Sequence, residues 1–340
     1  MDAKLVEVKI KGKKTKVPAV DIGDLTVVVI GKALRKAAIF DEEWLEGSLV
    51  DDPELFVEKL KEARLRADLF TFAQKIPDVK PRYKYPVEWE NFAAIPITRY
   101  QDWWAQVSTD MRKDVKKAAA RGVVVKTVGF DDALVQGIIG IHRDTPLRQG
   151  RAFAHFDKDF DTVKREYSTY PERSEFIAAY FGDELIGLIK VVYVGDLACM
   201  MQILSKTKHY DKRPTNALIA KTVEVCEERG KSYLTYGQLY YGNKKKSSLV
   251  AFKRRNGFQP IYFPRYYIPL TLRGRIAITL KLHRGLLGLL PGGVISQLIR
   301  ARIFVEQRIR LRSKPRDRME VEGRDHEAKD DQSGARPDSP

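Results

Sequence analysis

Apolar and charged residues nearly alternate at the start of the chain, at Leu5, Val6, Val8 and Ile10, and a β-branched run follows over 25–30 between Gly23-Asp24 and Gly31. Both patterns predict strands. Asp51-Asp52-Pro53 then opens a helix, with acids at its positive end and Pro in its first turn, and Leu55, Phe56, Leu60 and Ala63 fall on one face. Residues 67–73 and 91–97 read as strands, separated by an irregular crossover marked by Pro77, Pro81 and Pro86. From there the pattern is more regular. A helix is predicted over 102–121, closed by Gly122, then a strand over 123–128. Asp131-Asp132 caps a helix carrying Leu134, Val135, Ile138, Ile139 and Ile141. A polar loop, 143–155, and a charged helix, 159–168, precede a hairpin of 176–180 and 185–194 turning at Gly182-Asp183. Strand 198–204, helix 215–229, strand 233–236, helix 247–255 and strand 262–270 complete the series. The expected units are an N-terminal subdomain (1–98), a main domain (99–271), a basic amphipathic helical segment (272–314) and a polar, unstructured tail (315–340).

Composition narrows the chemistry. The chain has 340 residues, 44% hydrophobic and 31% charged, as in a soluble globular protein, but its formal net charge is +16. Such basicity suits an anionic partner: nucleic acid, phospholipid headgroups or a phosphorylated cofactor. Cys199 and Cys226 exclude a disulfide scaffold, and the scattered His142, His155, His209, His283 and His326 offer no metal-ligand spacing, so no metal is expected. Residues 1–16 lack an apolar leader and no apolar run is long enough to span a bilayer. The expected location is the cytosol, or the inner face of a membrane. Residues 273–318 carry twelve Lys or Arg against Glu306 and Asp317, with leucines crowded around 282–290. This segment either lies on an anionic membrane, packs back on the core, or contacts RNA.

Three strings give the main domain a likeness. The first is Arg112 to Ala118 (RKDVKKA) followed by Gly122-Val123-Val124-Val125. The second is Pro214-Thr215-Asn216-Ala217-Leu218, with Gly230 and Leu234-Thr235-Tyr236-Gly237 after it. The third is Ser248 to Phe258 (SLVAFKRRNGF). Together with the element order over 100–270 they resemble the GNAT acyltransferases, in particular the FemA/FemB/FemX-like aminoacyltransferases. The resemblance implies an α/β (α+β) fold: a mixed, mainly antiparallel sheet flanked by helices, with a smaller strand-rich N-terminal half. It implies transfer of an acyl or aminoacyl group to an amine or hydroxyl of a small or cell-envelope-related acceptor. In such proteins two neighbouring strands splay, exposed backbone N–H groups polarise the acyl carbonyl, and a helix N-terminus faces the donor's phosphates. Here these would be strands 198–204 and 233–236 and the helix opening at Pro214.

The donor implied is acyl-CoA (acetyl-CoA) or aminoacyl-tRNA. The glycines of the CoA-binding loop are replaced by Arg213 and Thr215, as in Fem-like proteins, which use tRNA. Candidate donor-binding residues are Lys206, Arg213, Thr215, Asn216, Lys253 and Asn256, with Lys253-Arg254-Arg255 otherwise a solvated face. The loop 141–155 suggests acceptor binding through Arg148, Gln149 and Arg151, with Gln202 mid-strand beside the splay. Asp144 or His155 takes the acceptor's proton, unless they serve as an Arg partner and a packing ring. Tyr240, among Tyr236, Tyr240 and Tyr241, is the candidate acid for the leaving group, or part of the core edge. The competing class is a non-catalytic protein of this fold that binds anionic membrane or RNA.

Overall fold

In the computed structural model, β-structure dominates the first hundred residues. β1 (Lys4–Ile10), β2 (Lys13–Ile22), β3 (Leu25–Ile30) and β4 (Lys36–Ile39) pair in succession, all antiparallel. α1 (Pro53–Glu62) starts as its sequence dictates, Asp52 Oδ1 accepting from Leu55 N at 3.1 Å, and buries Phe56 and Leu60. β5 (Leu69–Ala73) and β6 (Val87–Pro96) follow. The single helix expected over 102–121 is two, α2 (Tyr100–Gln106) and α3 (Thr109–Ala120). Ser108 divides them: its Oγ accepts from Met111 N at 3.1 Å and caps α3. Arg112 closes the end of α2 by donating to the carbonyls of Trp104, Ala105 and Val107.

The rest alternates as expected. β7 (Val123–Val128), α4 (Asp132–His142), the short pair β8 (Leu147–Arg148) and β9 (Arg151–Ala152), and α5 (Phe160–Tyr167) come first. Then come β10 (Ser174–Phe181), β11 (Glu184–Val194), β12 (Leu197–Ser205), α6 (Pro214–Glu228), β13 (Tyr233–Thr235), α7 (Ser248–Arg255), β14 (Gln259–Pro269) and α8 (Leu272–Thr279). The structure describes residues 3–10, 13–47, 50–148, 151–241 and 247–284. Gln149, the expected helix beyond residue 284 and the expected tail lie outside the described residues.

One twelve-stranded sheet runs through the described residues in the order β1-β2-β3-β4-β5-β14-β6-β13-β12-β11-β10-β7. It is mainly antiparallel, with β4/β5 and β12/β13 parallel. β14 lies between β5 and β6 and pairs antiparallel with both, so the sheet is continuous across residue 98. One face of its C-terminal half carries α3 and α6, packed through Met111, Leu218, Ile219 and Val223 onto Ile189, Val191, Ala198 and Met200. The other carries α4 and α5, packed through Ile138, Val163 and Tyr167 onto Phe176, Ala178 and Leu188. Gly187 lets α6 approach: a Cβ there would stand 2.9 Å from both Leu218 Cδ1 and Ser205 Oγ.

Two irregularities shape the centre of the sheet. Opposite β11, Lys190 faces Gln202 and Val191 faces Met200, so Met201 is the extra residue of a β-bulge in β12. On its other edge β12 pairs with β13 only through Leu197–Tyr233, Ala198–Leu234 and Cys199–Thr235. Past these pairs the two strands part.

Candidate active site

The parting of β12 and β13 opens a cavity of about 420 Å³ on the α6 face. Its walls are the end of β12 (Ile203, Leu204, Ser205), Tyr236 just past β13, the first residues of α6, and Ser248, Phe252 and Arg255 of α7. α6 presents its N-terminus here with no side-chain cap: Arg213, left-handed at φ 59°, precedes Pro214. Thr215 Oγ1 is 2.8 Å from Ser205 Oγ, which ties the helix start to β12. Uncapped helical N–H groups and the helix dipole favour an anion at this mouth. Three guanidiniums add to it. Arg213 Nε pairs with Asp114 at 3.1 Å, and Arg255 comes from α7. Arg148 Nη2 donates to Ser205 O at 3.1 Å while its plane lies 4.1 Å over the Phe153 ring. Arg148 Nε is buried without a partner among the described residues.

Of the two tyrosines that line this cavity, Tyr210 is exposed and Tyr236 stands just past β13, beside the gap. Burial pushes its hydroxyl up to about 12, so it stays a proton donor at neutral pH. Tyr240 is placed elsewhere: its hydroxyl accepts from Arg254 and it does not line the cavity. Burial also raises the Cys199 thiol to about 11, which keeps that sulfur protonated.

Of the residues singled out in the sequence, Arg148, Arg213, Thr215 and Asn216 meet in the cavity. Asn216 Nδ2 also reaches Asn256 Oδ1 at 3.3 Å. Asn256 itself is fully buried; its Nδ2 donates to Phe252 O at 2.7 Å, and it braces the end of α7 rather than lining the cavity. Lys253 corrects the expectation of a solvated face. It is 0% exposed, and its ammonium donates to Tyr236 O and, at 2.8 Å, to Gln238 O, under the Tyr236 ring. Burial pulls it down to about 8. It pins the chain that leaves β13, where Gly237 turns at φ 49°, and so holds the strands apart.

The remaining candidates line neither this cavity nor the one described below. Gln202 faces away from α6, opposite Lys190. Lys206 is buried against Glu184 at 2.7 Å. Glu184 also takes Lys208 and His209, and their hydrogen bonds, Lys206 first, hold its carboxyl down at about 2. Asp144 accepts from Thr207 N and fixes the turn that leads to α6. The His155 ring is tilted against that of the buried His142, centroids 5.1 Å apart, and its Nδ1 lies 3.2 Å from Lys158 Nζ. Burial first, then the neighbouring His155 and Lys158, push His142 down to about 4. Arg151 is exposed on β9 opposite Arg148.

A second cavity, about 480 Å³, opens on the opposite face of the same strands. Cys199, Thr235, Gly237 and Gln238 form its floor, and the N-terminal half supplies Glu42, Glu43, Lys75 and Glu90. Arg265 of β14 sits among them, 2.7 Å from Glu42 and 2.8 Å from Glu90. Sequence reasoning missed this cavity, because its walls come from the β4-to-β5 and β5-to-β6 connections, β5, β6, β12, β13 and the turn after it, and β14. In the first cavity Ser248 was missed, and Arg255, expected on a solvated face or against the donor phosphate, lines the wall. No group of described residues has the makings of a metal site.

No family model matches the chain, and no curated protein matches its sequence. Solved structures do share its fold. FemX matches with a TM-score of 0.52 at 12% identity, over 82% of this chain and 90% of that one. L-PGS from Bacillus licheniformis matches with a TM-score of 0.50 at 12% identity, over 78% and 88% respectively. The chain thus shares the fold of FemX and L-PGS, a large, mainly antiparallel sheet flanked by helices.

Proposed function

We propose that the protein is an acyltransferase that moves an acyl or aminoacyl group from a phosphate-bearing carrier to an amine. The observation that carries this reading is the coincidence, in one cavity, of parted strands, an uncapped helix N-terminus and three arginines. The carrier's phosphates lie at α6 and the arginines, and its acyl carbonyl enters between β12 and β13, where backbone N–H groups without a strand partner polarise it. The acceptor nitrogen attacks the carbonyl carbon, the carbon–sulfur or carbon–oxygen bond to the carrier breaks, and Tyr236 protonates the departing atom. The carrier is acyl-CoA or aminoacyl-tRNA. The loop without glycines favours the latter, since Arg213 and Thr215 occupy the approach to the α6 backbone. The test is release of free carrier from labelled acetyl-CoA and, separately, from a labelled aminoacyl-tRNA pool, in the presence of mixed amines. One of the two is consumed, and Arg213→Glu slows the reaction by weakening donor binding; failure of both to bind or react overturns the reading.

The position of α8 suggests where the reaction takes place. Its inner side packs on β14, but Leu272, Ile276 and Leu280, spaced four apart, are 72, 47 and 58% exposed in one stripe. Arg273, Arg275 and Lys281 flank it, a combination suited to an anionic lipid surface. Sedimentation with phosphatidylglycerol vesicles, but not phosphatidylcholine vesicles, is expected, and a triple Leu272→Ser, Ile276→Ser, Leu280→Ser variant stays in solution. Equal sedimentation of that variant refutes it. Among the described residues no helix is long and apolar enough to cross a membrane.

A further inference from the structure

The second cavity contains more charge than its internal pairs use. Arg265 pairs with Glu42 through Nη2 and with Glu90 through Nε, and the other oxygen of Glu42 accepts from Ala73 N at 2.6 Å. Glu43 and Lys75 are left. Among the described residues Glu43 makes no hydrogen bond or ion pair; it lines the cavity while staying open to solvent, partial desolvation raises its pKa, and Lys75 is the charge that lowers it. Lys75 donates to Leu45 O, which leaves two of its three N–H donors. Around these two charges the walls are apolar: Ile76, Phe92, Leu197 and Phe263, with the Tyr241 ring. A carboxylate without a protein partner and an ammonium with spare donors thus stand in one concave, otherwise apolar site, where a ligand carrying both opposite charges can meet both.

We propose that this cavity is the acceptor site and that it takes a compact zwitterionic amine with an apolar body, of the α-amino-acid type. Its ammonium meets Glu43, its carboxylate meets Lys75, and its side chain lies on Phe92 and Phe263. This rests on the acyl-transfer reading for the word acceptor, but the site and its ligand class stand on the cavity alone. The two cavities flank the same stretch: Thr235, Gly237 and Gln238 line one, Tyr236 the other. A ligand amine therefore reaches the donor carbonyl through the gap between β12 and β13. In the transfer step the ammonium gives its proton to the Glu43 carboxylate. The freed lone pair forms the new carbon–nitrogen bond as the carrier leaves with the electrons of the broken bond.

Calorimetry on the full chain, with no donor present, tests this with L-phenylalanine as the probe. The methyl ester of phenylalanine lacks the carboxylate and N-acetylphenylalanine lacks the ammonium. L-phenylalanine is expected to bind at least tenfold more tightly than either. Glu43→Gln removes the preference over the N-acetyl compound, and Lys75→Met removes the preference over the ester. Glu43→Asp, which keeps the charge, retains part of the first preference, and thermal melts confirm that each variant is folded. Absence of saturable phenylalanine binding overturns the proposal, as does unchanged discrimination in Glu43→Gln and Lys75→Met. Because no donor is involved, this result is independent of the carrier assay: an inactive protein that binds the zwitterion fails only the acyl-transfer reading, and an active one that does not bind it fails only this one.

Discussion

The two cavities share a strand edge and differ in charge. The α6 side is basic and faces a helix N-terminus, whereas the opposite side has three glutamates against Lys75 and Arg265. The α6 side therefore suits an anionic carrier, and the other side an ammonium. In the proposed reaction, faces that differ this way keep an anionic carrier and a zwitterionic amine from competing for one site, while the parted strands let them meet.

The strongest way to break this contrast is Lys253→Met. It leaves the carbonyls of Tyr236 and Gln238 without their donor and lets the chain after β13 relax into the gap. We expect about 2–4 kcal/mol lost in denaturant unfolding, and loss of binding on both faces. The pH dependence of stability should change with it. Lys253 is held near 8, below the ordinary 10.5, so between those values the unfolded chain binds more protons and this group makes stability rise with pH. The variant should lack that rise relative to the native chain.

Tyr236→Phe sharpens the contrast instead: kcat is expected to fall about 100-fold, with calorimetric zwitterion binding unchanged. Arg213→Glu acts on one face only, weakening the donor by roughly tenfold to a hundredfold, about 1.4–2.8 kcal/mol, and leaving the other face as it was. The smallest effect is expected from Glu184→Gln, which releases Lys206, Lys208 and His209 ahead of α6. Because its carboxyl is held near 2, its contribution is complete above the ordinary 4.5 and lost as pH falls through 2. In acid titration of stability the variant should be flatter there, by under about 1 kcal/mol.

The elements of the C-terminal half are readable in the sequence because local chemistry sets them. Asp131, Asp159 and Ser247 cap the helices they precede, and Pro214 opens α6. β2 and β4 are not readable: one is threaded with lysines and Pro18, the other is four residues long, and neighbouring strands hold both in place. Gln202 shows how a single extra residue defeats a pattern. Simple alternation puts it on the face of Met200, toward α6; the bulge at Met201 turns it to the other side. Lys253 belongs to a run of three basic residues, and only the fold shows that its ammonium is needed by two carbonyls inside. Glu43 lies far along the chain from every residue of the GNAT-like strings, and nothing local marks it.

The place of β14 has a consequence for how the chain is made. Residues 259–269 fill the space between β5 and β6, strands that leave the ribosome well over a hundred residues earlier. Until then both edges lack their partner, exposed to mispairing. The first half cannot complete its sheet until residues 259–269 have been made, so closing it is a long-range pairing that ties the two halves of the chain together.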